Sequence, residues 1–267
     1  MRSSLAFVLA GCLLAMQASA RPACAAPMLD ARYRVQTMGV DLGSAALKVA
    51  PTTGDGLATH LLFKTEAMLG LVEESSTEMA TEARQARGKV SPSRFDGTYR
   101  KEDRSREIAM SYGADGAIES FRLTKRDGIR VSAVPAGLPP GTVDPLAAFL
   151  RARAWLDQAP EGAELAMSVF DGRKRYDANL RYLGLVQLND DNGSAPAHRL
   201  AVRYTQAQAL NEDTGVLEPE RGRRRELELA VSADGRYLPL RLDGSLDGLP
   251  ISATLAADCG APGGCPD

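Results

Sequence analysis

Apolar side chains recur at every second position through most of this chain. A period of two marks strands that bury one face and leave the other wet. Tyr33, Val35 and Thr37 alternate with Arg34 and Gln36, and Ala45, Leu47 and Val49 with Ala46, Lys48 and Ala50. Further along, Leu200, Val202 and Tyr204 alternate with Ala201, Arg203 and Thr205, and Leu227, Leu229 and Val231 with Glu226, Glu228 and Ala230. Leu238, Leu240 and Leu242, then Ile251, Ala253 and Leu255, continue the series. Turn residues separate the runs: Gly39 and Gly43, residues 51–56, Gly113 to Gly116, Asp171-Gly172, Asp190 to Ser194, and Asp234-Gly235. Strands joined this way predict an antiparallel meander. Leu69 to Arg87 is mixed, with helix-favouring Ala, Glu and Met but alternating Val72, Thr77 and Thr81; its strand neighbours decide for strand.

The period changes once. After the stiff, proline-bearing lead of Pro135, Pro139 and Pro140, Asp144 is placed to cap a helix and Pro145 to occupy its first position. Leu146, Phe149 and Leu150 fall at i, i+3 and i+4, followed by Trp155 and Leu156, and Pro160 and Gly162 end the run. An apolar stripe at this spacing predicts a core helix laid on a sheet, with Arg151, Arg153 and Asp157 on its solvated side.

The first 25 residues carry the pattern of an export signal: Arg2, an apolar segment from Leu5 to Met16, then Ala18-Ser19-Ala20 and Ala23-Cys24-Ala25. That segment is too short to span a bilayer, and no later stretch is long enough either. Leu9 to Cys12 also matches the acylation box of lipoproteins. The apolar segment continues past Cys12 through Met16, which favours ordinary cleavage. Cleavage after Ala25 removes Cys12 and Cys24 and leaves Cys259 and Cys265 as an even pair, expected to form a disulfide in an oxidising compartment. Cleavage after Ala20 leaves Cys24 unpaired, but Pro27 argues against the later site, so both sites stand. Taking 25 residues from 267 leaves 242, enough for one large β domain or two small ones, and the reading adopted is a single domain over 26–257 with a Gly- and Pro-rich tail over 258–267. Losing Arg2 and Arg21 leaves 30 basic residues against 34 acidic. A mildly acidic chain lacks the basic footprint of a nucleic-acid binder.

The order of these features resembles the exported bacterial family called domain of unknown function 3108. The resemblance runs along nearly the whole mature chain: Tyr33-x-Val35 with Gly39 and Gly43, Pro92-x-x-Phe95, Gly141 to Leu146, Val169 to Tyr176, and Ser232 to Pro239. It implies a periplasmic, β-rich protein whose curved antiparallel sheet is somewhat like that of the lipoprotein-localisation carriers. It brings no catalytic residues with it.

Residue chemistry points the same way. The chain has no G-x-S-x-G elbow, no H-E-x-x-H and no phosphate-binding Gly-Lys loop, and its only histidines, His60 and His198, lie in strand-like segments that suit structural or surface roles. Arg221 to Arg225 is the one dense basic run. It reads as a solvated loop neutralised by Glu218, Glu220 and Glu226, with attraction of an anionic headgroup as the alternative. The expected architecture is mainly β: a large curved antiparallel sheet, a half-open barrel, with one main helix packed on it. The expected function is non-enzymatic, with no cofactor and no metal. An apolar or lipid-like envelope ligand would lie on the curved face at Phe149, Leu200, Val202, Leu227, Leu229, Leu240 and Leu242. The alternative is a structural or protein-interaction module with a filled core.

Overall fold

The computed structural model describes residues 28–66, 74–190, 193–246, 249–261 and 265. The export segment over 1–25, with Cys12 and Cys24, lies outside them, as do residues 67–73, 191–192, 247–248, 262–264 and 266–267.

Eight strands come first: β1 (Leu29–Thr37), β2 (Val40–Pro51), β3 (Gly56–Thr65), β4 (Ser75–Ala86), β5 (Lys89–Lys101), β6 (Arg104–Tyr112), β7 (Ile118–Lys125) and β8 (Gly128–Val131). Each pairs with the next in an up-and-down meander, so the mixed stretch is strand over Ser75–Ala86, as its neighbours required. Helix α1 (Pro145–Leu156) follows. Then come β9 (Glu164–Phe170), β10 (Lys174–Asp190), β11 (Gly193–Asn211), β12 (Val216–Pro219), β13 (Arg224–Ser232), β14 (Pro239–Leu246) and β15 (Leu249–Asp258). The last strand returns to the first: Leu255 of β15 lies opposite Tyr33 of β1, and Ala253 opposite Val35. That pairing welds both halves into one 15-stranded sheet running from β8 at one end to β9 at the other, with β12 paired only to the far part of β11.

The sheet curls but does not close by strand pairing, since β8 and β9 are not neighbours. The gap is laced by the proline-bearing lead, where Ala136 bridges to Val216 and Val143 to Val169. Side chains seal it further. Phe95, Met110, Phe121, Leu123 and Val131 pack with Phe170 and Leu217 from the other end of the sheet, and the Phe121 and Phe170 rings lie 5.7 Å apart. Gly172 is required at this seam: its φ is +93°, and a Cβ there would overlap the side chain of Ile108.

Helix α1 sits inside the curl. Leu150 packs with Leu29, Ala31, Val49, Leu57 and Ala83 of the first half, while Leu156 packs with Leu180, Tyr182, Leu200 and Val231 of the second. The sequence stripe predicted a helix laid on a sheet; the curl encloses it instead, so its solvated side is narrower than expected. Arg151 stays near the rim, donating to the Val90 and Gly141 carbonyls. Arg153, expected in solvent, is half-buried: its guanidinium lies over the Phe149 ring, 5.8 Å from the centroid, and donates to the Arg236 carbonyl at 2.7 Å. Its aliphatic stem lets a cation occupy a mostly apolar position. At the other extremity Cys259 and Cys265 are disulfide-bonded, and the amides of Cys259 and Gly260 both donate to the Asp30 carbonyl.

Candidate functional site

The face that holds the helix is mostly apolar, and among the strands the helix lies closest to β3, β4, β5 and β9. Near the helix, inward side chains are buried: Leu57 and Thr59 on β3, Ala83 and Thr81 on β4, Val231 on β13, Leu200 on β11. Further along the same strands and on the same face they become half-exposed: Leu61 and Phe63, Met79 and Thr77, Leu229 and Leu227, Val202 and Tyr204. The gradient repeats on four strands, so it follows the position of the helix rather than any one residue.

The seven residues expected to line a ligand face divide accordingly. Leu200, Leu229 and Leu242 form one row across β11, β13 and β14, and Val202, Leu227 and Gly244 form the next. The absence of a side chain at Gly244 lets the Leu227 side chain lie over it. Leu200 is 2% exposed and belongs to the packed floor beside Leu156; Val202 and Leu229 are half-buried at the edge of that cluster, and Leu227 and Leu242 are half-buried outside it. Phe149 and Leu240 meet against the cluster formed by β1 to β5 and stand apart from those two rows.

The floor is held by a polar network that the sequence did not reveal. Asp144 is fully buried and caps the helix, accepting from the amides of Leu146 and Ala147 at 3.0 and 2.8 Å, from the Thr81 hydroxyl at 2.7 Å and from the Tyr112 hydroxyl at 3.0 Å. Burial raises its pKa, and these hydrogen bonds oppose the rise. With its oxygens committed to four donors, this carboxylate serves as a structural cap. Asp171 plays the same part in its turn. It accepts from the amides of Arg173 and Lys174 and from the Tyr176 hydroxyl, and burial pushes its pKa up.

Each histidine has one polar side-chain partner. His60 meets Glu78 on the outer surface at 2.9 Å. His198 bonds the Tyr182 hydroxyl at 2.8 Å and packs between the Tyr182 and Tyr237 rings; burial lowers its pKa, which favours the neutral ring. Among the described residues there is no group of three or more His, Cys, Asp and Glu side chains able to hold a metal ion. No helix among them is long and apolar enough to cross a membrane.

Two depressions matter for where a ligand would sit. The larger, of about 770 Å³, is lined by Ser44, Lys64, Glu66, Ser76, Arg100 and Glu102 among others, with no apolar side chain. Among the described residues it offers no apolar side chain to a ligand. A smaller one, of about 310 Å³, lies where the half-exposed leucine rows end, beside Tyr176 and Tyr204. Period two could have found it, because Tyr204 follows Leu200 and Val202 on one face and Arg225 precedes Leu227 on the same face.

The chain matches the family described as protein of unknown function (DUF3108) over residues 32–248. It belongs to that family. The fold also resembles a solved structure, described as a β-barrel-like protein of the domain of unknown function DUF1849 from Brucella abortus. The TM-score is 0.53 at 9% identity, covering 86% of this chain and 96% of that one. At that identity the likeness concerns the fold alone. No curated protein matches the chain.

Proposed function

We propose that this DUF3108 protein is exported and, without catalysing a reaction, binds an apolar or lipid-like component of the cell envelope on the part of its curved face that the helix leaves open. The observation that carries the reading is the exposure gradient: the same face is buried where α1 lies and only half-buried at Leu227 and Leu242 beyond it, with Val202 and Leu229 at the edge of the Leu156 cluster. A run of half-exposed leucines on a concave surface is costly in water and is relieved by an apolar occupant. The Arg2-led apolar segment and the Cys259–Cys265 disulfide fit an oxidising compartment outside the cytoplasm, the periplasm. The test is native mass spectrometry of protein recovered from its own compartment. A co-purifying lipid and a chain starting near residue 21 or 26 are expected; a ligand-free protein would sink the binding reading, and a chain acylated at Cys12 would correct the export route.

The second reading, a structural or interaction module, draws on a different observation. Leu150, Leu156 and Leu200 fill the helix end with close-packed side chains, as a scaffold would require. Absence of lipid together with a stable protein would favour it.

A further inference from the structure

Two strand edges stay unpaired beside the helix. Strand β6 pairs with β5 only from Arg94 onward, so residues 89–93 have no strand partner on that side among the described residues. At the far end of the sheet the free side of β9 meets only Val143, which bridges to Val169, so residues 164–167 have none there either. Between these edges lies a cleft of about 550 Å³. Lys89 and Val90 line it from one edge, Leu165 from the other, and Arg151, Ala154 and Trp155, at i, i+3 and i+4, from helix α1. The β4–β5 turn adds Arg87. Arg87 and Gly88 have φ of +52° and +73°, as a two-residue hairpin loop requires, which holds Arg87 and Lys89 beside the cleft. Three cations line it and, among the described residues, no carboxylate does. Arg87 and Lys89 are exposed and form no ion pair with a described residue. Arg151 donates to the Val90 and Gly141 carbonyls, which are neutral acceptors. The cleft is separate from the half-exposed face: β4 carries the two at opposite ends, Thr77 near its start and Arg87 just past its last residue.

We infer that this cleft takes an extended, acidic segment of a partner protein, which adds a strand at the open edges and sets an apolar side chain against Trp155. The site goes beyond the lipid reading and does not depend on it. Addition to an unpaired sheet edge is a recurring way to hold a peptide: main-chain hydrogen bonds supply affinity, and contacts to alternate side chains supply specificity. Pro92 removes one donor from the β5 edge, so the fuller ladder is on β9. The cations select carboxylates over neutral side chains. Trp155, half-buried, offers a rigid apolar anchor. A free anion would use the cations and leave the strand edges and the indole idle. A flat bilayer would meet Arg87 and Lys89 but not edges that flank a recessed floor.

The test is titration of the purified full chain with an acetylated octapeptide of alternating Leu and Glu, followed through Trp155, the only tryptophan in the chain. Its emission should shift and saturate. The same peptide with Gln for Glu should bind at least about tenfold more weakly, and the gap should narrow in high salt. Of two versions N-methylated at the Leu or at the Glu nitrogens, at least one should also lose about tenfold, since a methylated nitrogen cannot donate to a strand edge. Arg87→Gln/Lys89→Gln, at two exposed positions, should erase the preference for the acidic peptide. Lys89→Gln alone should lose part of it and serves if the double variant does not fold. An unchanged Trp155 emission, or equal affinity for the acidic and neutral peptides, overturns the site. A preference that survives the substitutions overturns its location. Both methylated peptides binding like the parent overturns strand addition. Inorganic phosphate displacing the peptide at equal concentration would make the cleft a site for a free anion, and phosphatidylglycerol vesicles shifting the emission where the peptide does not would make it a membrane contact; either overturns the peptide partner.

Discussion

Tyr112 and Asp144 hold each other twice. The Tyr112 hydroxyl donates to the Asp144 carboxylate at 3.0 Å and accepts the Asp144 backbone N–H at 2.9 Å, tying the end of β6 to the first turn of the only helix among the described residues. Thr81 of β4 adds a third strand-to-cap bond at 2.7 Å. Because all of these groups are buried, breaking one bond strands its partner. Asp144→Ala removes the cap and leaves two hydroxyls without an acceptor, and should destabilise the fold by about 3–5 kcal/mol. Tyr112→Phe keeps the cap but leaves the Asp144 N–H unpaired, for about 1–3 kcal/mol. Urea unfolding of the two variants measures both. Equal and small losses would mean that the helix is held by apolar packing alone.

The same carboxylate carries a pH signature. Its pKa in the folded protein is raised, chiefly by burial, above the ordinary value near 3.8. Between the two values the folded protein keeps a proton that the unfolded chain has released. The folded state therefore binds more protons, and stability from this group falls as pH rises through that interval and levels off above the folded pKa. Asp144→Asn has no such titration. The stability of wild type relative to Asp144→Asn should decline from pH 4 upward, read by unfolding at a series of pH values. A difference independent of pH would show that the four hydrogen bonds cancel the effect of burial.

How much of this was legible before the structure depends on the range of the physics. The period-two runs, the Asp144 cap and the Asp171-Gly172 turn rest on neighbours a few residues apart, and each stands where the sequence put it. The partners of Asp144 are 63 and 32 residues away, and no local pattern announces them. Arg153 was misplaced for a related reason: helical spacing assigns it a face, but only the curl of the sheet decides that this face is enclosed. At the candidate site the leucine rows were legible from alternation. Their division into packed floor and half-exposed track was not, since that depends on where the helix comes to lie. That the pleat turns Arg224 and Arg225 to opposite faces was available in principle, because it needs only the parity of Leu227.

The disulfide should matter little to the core. Cys259 and Cys265 close a loop with a sequence separation of 6, beyond the end of β15, and the tail is also held by hydrogen bonds from the Cys259 and Gly260 amides to the Asp30 carbonyl. Short loops gain little from closure in the unfolded chain. The Cys259→Ser/Cys265→Ser protein should unfold within about 2 kcal/mol of wild type, a bound that chemical denaturation can check. A loss approaching 5 kcal/mol would mean that the tail supports the β1–β15 seam that joins the two halves of the sheet.

Leu200 and Leu242 share a row through Leu229, yet they should respond differently to substitution. Leu200 is packed against Leu156 and Val231 with almost no exposure, so Leu200→Ala leaves a cavity and should cost about 2–5 kcal/mol. Leu242 lies past the reach of the helix and is half-exposed. An arginine there can send its charge to solvent along its own stem, so Leu242→Arg should cost about 1 kcal/mol while placing a cation in the middle of the apolar track. Lipid recovered with the protein should therefore disappear in Leu242→Arg and persist, at reduced protein stability, in Leu200→Ala. Unfolding curves and native mass spectra of the two variants, taken together, separate the readings. If Leu242→Arg unfolds the domain as thoroughly as a buried, unpaired charge would, a cost of several kcal/mol, the face is a filled core and the scaffold reading takes its place.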